Sequence, residues 1–594
     1  MRAYILEILF LIGNKKKKLP GLLILFLTSS LLDLAGLGLV GPYISLAISP
    51  ELFSLSFFDT WLPHTSFLLS QESIFSFLGV VLVFIFLLKA VFGILITRTI
   101  LNFTQQQQIQ IQNRLMAAYL QLPYSKYINR NSSEYIVAIN NLTPTYAHGV
   151  VMPALRAISD LILFASILTL LAVSYGSTLV PLIAILAGLV FAYDRLFRRR
   201  AFLTGKYANE ASRQLYQAIN EGIRGLKEVR ILGQESFFLD TVSAAAHKYG
   251  QNLVRSRIIS SLPKFLIEFI LVAFIVSLTI FTFQDQGSVQ SLLPTLGVFA
   301  IAAMRLGPSA TNLAKSLVDL RVNRNAVSKI YADLSRSSLH IPFLNSSATT
   351  YNRQGRLGDS FECLKGQNLY FQYPGRSGFT LQDVSFSINA GDAIGVIGPS
   401  GSGKTTLIDI VLGLLGPNSG ELLLNGQPLA DNLSQWRSWV AYLPQQMFLI
   451  DNSLKANITL GTDCDNSNAD WLEQVIERAQ LGEMVRHLPD GLESHVGEGG
   501  IRLSGGQRQR ISLARALYFR RDVLILDEAT NALDKKTEDE VVDQIYQLKG
   551  QQTSIVIAHS ASTLRYCDRI YRLEYGLLEE FSTYDQFLRA GIPQ

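Results

Sequence analysis

The hydrophobic pattern divides the chain into two parts of different character. Nearly all of the long apolar runs lie within residues 20–310, whereas residues 345–594 have the composition of an ordinary soluble domain. A helix of about 20 apolar residues crosses the hydrocarbon core of a bilayer. Six stretches reach or approach that length, and they are residues 20–48, 75–98, 153–175, 178–196, 263–284 and 291–310. The pattern therefore predicts six membrane-spanning helices followed by a soluble domain.

The positions of lysine and arginine predict how these spans are oriented. Lys15–Lys18 precede the first span, and the loops 98–152 and 197–262 are rich in basic residues, whereas 49–74 and 285–290 contain none. Because short cytosolic loops carry an excess of lysine and arginine, both termini are predicted to face the cytosol. The four lysines also resemble the start of a secretory signal. The apolar run after them is too long and lacks a small-residue cleavage site, so we expect the segment to be retained.

The predicted cytosolic loops are long and have a helical pattern. Residues 104–122 and 205–250 continue the spans as amphipathic helices, and residues 219–240 keep an apolar stripe. Two helical hairpins of this kind can transmit force to a soluble domain. The external segment 49–74 is unusually apolar, which predicts either a short helix in the membrane interface or a lid packed on the spans.

Composition narrows the function classes without identifying one. Hydrophobic residues make up 48% of the chain, and the mean hydropathy is +0.24. The net charge is only +5, which gives no indication of a nucleic-acid partner. Three cysteines lie in the soluble part without metal-ligand spacing, as expected in a reducing cytosol, and they are Cys363, Cys464 and Cys567.

A phosphate-binding loop is predicted after the apolar strand 393–397 and before the helical run 406–415. It matches the pattern G-x-x-x-x-G-K-[ST], in which backbone N–H groups surround phosphate oxygens at a helix N-terminus. Lys404 is expected to reach the β- and γ-phosphates, and Thr405 is expected to hold Mg²⁺. The candidate nucleotide-binding residues of this segment are Gly398, Pro399, Ser400, Gly401, Ser402, Gly403, Lys404, Thr405 and Thr406.

A second element combines a buried strand, Val523–Asp527, with two consecutive carboxylates at its end. Asp527 at the strand tip suits a water-mediated contact to Mg²⁺. Glu528 suits a general base that polarises the attacking water. An apolar run followed by Asp-Glu is weak evidence alone, because a strand capped by surface acids is equally compatible with it.

A third element is a Ser-Gly-Gly turn at the predicted N-terminus of a helix, and it is a second phosphate-binding device. Its residues are Ser504, Gly505, Gly506 and Gln507. These elements together resemble the ABC transporter superfamily, and the resemblance extends over nearly all of the chain, as a type IV exporter-like half-transporter. We expect a transmembrane domain in residues 1–335 and a nucleotide-binding domain in 366–594, joined by a polar and irregular linker in 336–365.

The resemblance assigns further roles to single residues. It implies that Tyr373 stacks on adenine, that Gln445 joins Mg²⁺ and water to the membrane domain, and that His559 contacts the γ-phosphate. The loop Asn531-Ala-Leu-Asp534 corresponds to one that crosses the dimer interface. Each short match also has a simpler interpretation: a core aromatic for Tyr373, a loop residue for Gln445 and a surface histidine for His559. The family commonly has Arg at the position of Gly499, which puts coupling between subunits at that turn in question.

The resemblance also implies an assembly and a mechanism. One chain carries one phosphate loop and one Ser-Gly-Gly turn, and in the family each turn completes the site of the other subunit. We therefore expect an ATP- and Mg²⁺-dependent homodimer, although a partner chain with intact motifs is the alternative. Residues 123–136 and 218–230 are the candidate contact helices between the two domains. The expected fold is an all-α six-helix transmembrane domain joined to an α/β P-loop nucleotide-binding domain.

Ionisable residues inside spans are costly and therefore indicate function or mutual pairing. The candidate substrate-binding cations are Lys89, Lys264 and Arg305, and pairing of Lys89 with Asp33 is the structural alternative. The stretches 31–42, 225–235 and 304–308 resemble bacterial lipid-linked oligosaccharide flippases. That resemblance implies a polyprenyl-pyrophosphate glycan or related glycolipid as substrate, in the bacterial inner membrane. Export of another lipid, a drug or a peptide stays open, as does an ATP-gated channel or a membrane-tethered regulatory ATPase.

Overall fold

The computed structural model describes residues 2–48, 71–284, 289–336, 360–375, 378–462, 469–528, 542–543, 549–558 and 561–590. The chain forms two compact units. The first comprises Met1–Leu122 and Lys126–Ser346, and the second comprises Pro123–Ser125 and Ser347–Gln594. Residues 49–70 of the predicted external segment and residues 337–359 of the predicted linker lie outside the described residues.

The described part of the first unit is helical, and long helices cover all six predicted spans. The helices are α1 (Arg2–Ile12), α2 (Leu19–Ile48), α3 (Gln71–Leu120), α4 (Tyr124–Tyr127), α5 (Ser132–Val137), α6 (Thr143–Tyr146), α7 (Met152–Arg224), α8 (Leu226–Ile231), α9 (Glu235–Gln284), α10 (Val289–Val322) and α11 (Arg324–Arg336). A 3₁₀ turn, Gly13–Lys18, joins α1 to α2, and π-helical turns flank α6 at Ala138–Leu142 and Ala147–Val151.

Helix α7 differs from the expectation in one respect. The helix continues from Met152 to Arg224, across residues 176–177, which separate the predicted spans 153–175 and 178–196. In so apolar a segment the backbone N–H and C=O groups find few other partners, which favours helix. Among the residues with described side chains, three stretches are long and apolar enough to cross a membrane: Arg2–Val40, Phe75–Leu120 and Ser132–Thr169.

An ion-pair network joins the segment between α3 and α7 to α11. Arg130 contacts Asp333 at 3.1 Å and Glu134 at 2.9 Å. The Tyr119 hydroxyl donates to the same Asp333 carboxylate at 2.6 Å, and Arg213 of α7 contacts Glu134 at 3.2 Å. Four separate segments therefore share one half-buried charged cluster. Networks of this kind fix geometry better than single surface pairs do.

The second unit contains two sheets. The strands are β1 (Cys363–Phe371), β2 (Leu381–Asn389), β3 (Ala393–Ile397), β4 (Ser419–Leu424), β5 (Gln427–Pro428), β6 (Val440–Leu443), β7 (Val523–Asp527), β8 (Thr553–Ile557), β9 (Arg569–Glu574) and β10 (Leu577–Phe581). The helices are α12 (Lys404–Val411), α13 (Leu433–Trp439), α14 (Leu454–Thr459), α15 (Ala469–Arg478), α16 (Gly482–His487), α17 (Gly505–Tyr518) and α18 (Tyr584–Arg589).

The larger sheet positions the candidate site. Its strand order is β10-β9-β3-β8-β7-β6, and the pairs β9-β3, β3-β8, β8-β7 and β7-β6 are parallel. Strands β3, β7 and β8 are buried at every position, as expected of central parallel strands covered on both faces. The smaller sheet is antiparallel, in the order β2-β1-β4-β5. The carboxyl ends of β3 and β7 therefore lie on one edge of the larger sheet, separated only by β8.

Candidate nucleotide-binding site

The phosphate loop connects β3 to α12, as the sequence predicts. Gly403 caps α12 with φ +107°, a conformation that favours glycine. At Gly398 a side chain would be excluded by packing, because a Cβ there would lie 2.1 Å from the backbone oxygen of Leu573. The loop is therefore a close turn whose backbone packs directly on a neighbouring strand.

Lys404 is held inside this loop. Its side chain is buried, and its Nζ donates to the carbonyl oxygens of Gly398 at 2.7 Å and Pro399 at 3.0 Å. The pKa of Lys404 is lowered because the side chain is buried. The nearby carboxylates of Glu528 and Asp527 oppose this shift without cancelling it. The ammonium group is thus poised next to acidic groups at the position where the loop would receive phosphate oxygens.

The carboxylates at the end of β7 have partners that orient them. Asp527 is buried, and the Tyr442 hydroxyl of β6 donates to its Oδ2 at 3.1 Å. Gln445 donates from Nε2 to Glu528 Oε2. Glu528 has φ +50°, which costs a residue other than glycine about 1–3 kcal/mol. Strain at this residue accompanies its placement beside the phosphate loop and Gln445.

Two residues of this site have no signal in the sequence. Tyr442 and Asp409 lie in ordinary apolar stretches of β6 and α12, yet both face Asp527. Burial and the charge of Asp527 raise the pKa of Asp409 to about 6. Burial and Asp527 also raise the pKa of Tyr442. The parallel pairing of β6 with β7 brings Tyr442 beside Asp527, whereas Asp409 comes near Asp527 from helix α12.

The Ser-Gly-Gly turn begins helix α17. Ser504 is its N-cap and forms a capping box with Gln507: the Ser504 N–H donates to Gln507 Oε1 at 2.8 Å, and the Gln507 N–H donates to Ser504 Oγ at 3.2 Å. Ser504 is exposed, whereas the opposite face of α17 packs into the core through Ile511 and Ala514. The N-terminus of a 14-residue helix is thus presented at the surface.

The turn before α17 explains the residue at position 499. Gly497, Gly499 and Gly500 all have positive φ, of 77°, 58° and 72°. A side chain at position 499 would meet no atom within 4 Å, so the conformation and not the space favours glycine there. The family resemblance implies arginine at this position, but the backbone conformation observed here suits glycine.

Tyr373 is half-buried next to the phosphate loop. Its hydroxyl lies 3.2 Å from Thr406 Oγ1, and its ring packs edge-on against Phe371 at 4.9 Å between centroids. These contacts agree with the simpler interpretation of Tyr373 as a packed aromatic, and they leave adenine stacking as a prediction. His559, Asn531 and Asp534 lie outside the described residues.

The candidate cations of the predicted spans are paired where their side chains are described. Lys89 of α3 forms an ion pair with Asp33 of α2, and their side chains are only 18% and 7% exposed. Lys264 lies 3.8 Å from Glu268 on the same helix, and both are more than half exposed. The pairing alternative for Lys89 is thus observed. Arg305 lies on α10, but its side chain is outside the described part of the chain.

Comparisons with known proteins agree with this geometry. The family model described as ABC transporter matches residues 381–531. The ATP-dependent lipid A-core flippase of Xanthomonas euvesicatoria pv. vesicatoria (strain 85-10) is 27% identical over 533 residues, which cover 89% of this chain and 87% of the relative. The flippase of the same name from Burkholderia orbicola (strain AU 1054) is 31% identical over 411 residues, which cover 68% of this chain and 66% of the relative.

A solved structure shares the fold along the whole chain. It is a bacterial Atm1-family ABC exporter with ATP bound, with a TM-score of 0.77 and 20% identity over 98% of this chain and 97% of that one. The phosphate loop, the paired carboxylates and the surface Ser-Gly-Gly turn lie on the elements that the family resemblance requires. The chain belongs to the ABC transporters, as a membrane-embedded exporter half-transporter that binds ATP and couples an ATPase to transport.

Proposed function

We propose that this chain flips an anionic glycolipid across the bacterial inner membrane, as a homodimer whose termini face the cytosol. The observation that carries the proposal is the alignment of lipid A-core flippases along 89% of the chain, spans included. The cytosolic orientation is supported by the alternation of basic flanks, which places the nucleotide-binding unit where ATP is available.

The chain's own residues suit ATP hydrolysis. Lys404 exchanges its bonds to the loop carbonyls for bonds to phosphate oxygens. Gln445 holds the Glu528 carboxylate, which accepts a proton from the attacking water. Replacing Glu528 by Gln is expected to lower hydrolysis by about 10²–10⁴-fold and to leave ATP binding intact. A turnover rate unchanged in the purified variant would exclude this role.

The same site suits a magnesium ion. Thr405 contributes an exposed hydroxyl at the start of α12, Gln445 an amide oxygen and Asp527 a buried carboxylate, either directly or through water. These are the oxygen ligands that Mg²⁺ prefers. Ser402 Oγ is buried and has no hydrogen-bond partner among the described residues. The loop therefore contains a polar atom that could contact a bound ligand. When bound, Mg²⁺ would neutralise charge on the phosphates.

The homodimer is supported by the surface position of the Ser-Gly-Gly turn. Ser504 and Thr405 are both exposed, as required of two half-sites that meet across a two-fold axis. Complementation tests this directly. In a dimer of one Lys404→Ala chain with one Ser504→Arg chain, completion in trans leaves one intact site, whereas completion within one chain leaves none.

Nucleotide trapping is the appropriate measurement, because turnover depends on both sites. We expect one trapped nucleotide for each mixed dimer and none in either homodimeric variant. A double-mutant chain combined with a wild-type chain is the matched control, since completion in trans then leaves no intact site. Nucleotide trapping in this control but not in the mixed dimer would show that each site is completed within one chain, and the proposed completion in trans would be wrong.

The substrate class rests on charge inside the spans. The Lys89–Asp33 pair keeps a cation within the apolar region, where an anionic head group can compete with Asp33 for the ammonium group. The cations Lys264 and Arg305 are further candidates. A polyprenyl-pyrophosphate glycan and a lipid A-core glycolipid share phosphate groups, sugars and long apolar chains, so both fit this chemistry.

Flipping assays in proteoliposomes test whether the substrate is anionic and whether Lys89 binds it. We expect Lys89→Gln to abolish flipping of the phosphorylated glycolipid while basal ATPase activity persists, and Lys206→Gln, an exposed position outside the spans, to change neither. Because an unpaired Asp33 is itself destabilising, Asp33→Asn with Lys89→Gln is the companion variant. Normal flipping by a well-folded double variant would remove Lys89 from the substrate site. Flipping of neutral lipid alone would exclude an anionic substrate.

A further inference from the structure

Four consecutive lysines form a compact basic cluster where the chain enters the first span. Lys15–Lys18 occupy the 3₁₀ turn between α1 and α2. Lys16, Lys17 and Lys18 are exposed, and Lys15 is half-buried. The apolar run begins at Leu19, directly after the cluster. The ammonium groups therefore lie at the depth where the hydrocarbon core gives way to head groups.

Part of this cluster is held in place by a neutral residue. Lys15 Nζ donates to the backbone oxygen of Gln106 at 3.1 Å and to its Oε1 at 3.4 Å, and Lys18 Nζ donates to the same Oε1 at 3.3 Å. Within the described ranges no carboxylate pairs with any of the four lysines. Burial and the charge of Lys18 both lower the pKa of Lys15. The fold thus concentrates positive charge without neutralising it.

An apolar surface lies next to the cluster. Helix α1 buries Tyr4 and Leu11 against the core of the first unit, while Ile5 and Leu6 on its outer side are 52% and 66% exposed. The buried side is fixed by the Tyr4 hydroxyl, which donates to the backbone oxygen of Leu320 at 2.8 Å. A helix with one side anchored and apolar residues exposed on the other has the character of an interfacial helix.

We propose that Lys15–Lys18 and the outer side of α1 form a binding surface for anionic phospholipids of the leaflet they face. The phosphates contact the ammonium groups, and Ile5 and Leu6 contact the adjoining acyl region. An apolar surface beside the charges, at the start of a span, favours a lipid over a nucleic acid or an acidic protein. These lipids act as bound partners and are separate from the proposed transport substrate.

The test is lipid retention by the full-length protein. The protein is reconstituted with rising fractions of phosphatidylglycerol in phosphatidylcholine, and the retained lipids are identified by native mass spectrometry. Each lysine near an anionic surface strengthens attraction roughly fivefold. We expect the variant with all four lysines changed to Gln to lose at least about tenfold of the preference for phosphatidylglycerol. The variant with all four changed to Arg keeps it.

Two further measurements keep the proposal open to refutation if the Gln variant folds poorly. Raising ionic strength should reduce the preference of the wild-type protein, because exposed charges are screened beyond about 8 Å at physiological salt. Ile5→Ser with Leu6→Ser should weaken retention without changing the charge. An unchanged preference in the Gln variant, or a salt-independent preference in the wild type, would overturn the proposal. Loss in the Arg variant would overturn it as well, because charge would not be the cause.

Discussion

The two units use apolar residues in opposite ways. In α3 the side chains of Phe77, Val80 and Ile94 are 65–69% exposed. In the nucleotide-binding unit, β3, β7 and β8 are buried at every position. The segments are similarly hydrophobic, but these side chains of α3 are exposed, whereas the three strands are buried throughout.

The difference indicates which solvent each unit has adapted to. An apolar side chain that faces hydrocarbon loses nothing by staying on the surface, so the helical unit is held by backbone hydrogen bonds and close helix packing. The soluble unit gains its stability by removing apolar surface from water. Equal substitutions should therefore have unequal effects in the two units.

The largest contrast is expected between two isoleucines. Ile525 of β7 is fully buried, and Ile94 of α3 is 69% exposed. Ile525→Ala should cost about 2–5 kcal/mol of unfolding free energy, because it leaves a cavity. Ile94→Ala should cost less than about 1 kcal/mol in a bilayer. Denaturation of the protein in nanodiscs, followed by tryptophan emission, measures the first effect, since three of the four tryptophans lie in the second unit.

Loss of helical circular dichroism on heating measures the effect at Ile94. Equal losses at the two positions would mean that Ile94 is buried in the assembled transporter. Helix α3 would then bury apolar side chains in the same way as the strands of the second unit.

A smaller loss is expected where helices of the first unit approach each other. A Cβ at Gly205 of α7 would lie 1.9 Å from the backbone oxygen of Val322, whereas one at Gly250 of α9 would meet no atom within 4 Å. Gly205→Ala should destabilise the helical unit by about 1–3 kcal/mol through overpacking. Gly250→Ala should be neutral or stabilise it by up to about 1 kcal/mol. The melting temperature of each variant, measured by loss of helical circular dichroism, tests this difference. Equal melting temperatures for the two variants would contradict the close packing at Gly205.

A backbone effect of about 1–2 kcal/mol is expected in the turn before α17. Gly499→Arg adds a side chain in open space but at φ +58°, so only conformational strain opposes it. Gly416→Arg is the matched control, because that position is equally open and lacks a positive φ. Tryptophan-monitored denaturation should show a loss at position 499 only. Equal stability of the two variants would show that the turn tolerates arginine without strain.

The last expected effect depends on pH. The pKa of Asp409 is raised to about 6, so the folded state holds this proton more tightly than the unfolded state, whose carboxyl pKa is about 3.9. The stability contributed by the bound proton is complete below about pH 4 and is lost as pH rises through about 6.

Asp409→Asn should remove this pH-dependent component. The stability of the variant relative to wild type should therefore increase as pH rises from about 4 to about 6. Asp431→Asn, at an exposed position, is the control. A constant difference between Asp409→Asn and wild type would refute the shift.

Much of the soluble site could be predicted because its chemistry is local in sequence. The strand at 393–397 and the strand at 523–527 are confirmed at the predicted residues, and the phosphate loop lies between β3 and α12. Tyr442 and Asp409 could not be predicted, because the bond of Tyr442 to Asp527 depends on strand order and the effect of Asp527 on Asp409 depends on how α12 packs. The predicted spans 153–175 and 178–196 lie on one helix, since apolar sequence alone does not reveal where a helix ends.

The sequence by itself determined the two-part architecture, the nucleotide chemistry and the apolar helices, because each depends on residues close together along the chain. The tertiary structure alone decided that Lys89 pairs with Asp33, that Gln445 holds Glu528 and that Arg130 joins Asp333. These partners lie tens to hundreds of residues apart. Folding brings them within bonding distance, and in the two partly buried ion pairs an unpaired charge would be costly, which selects the partner.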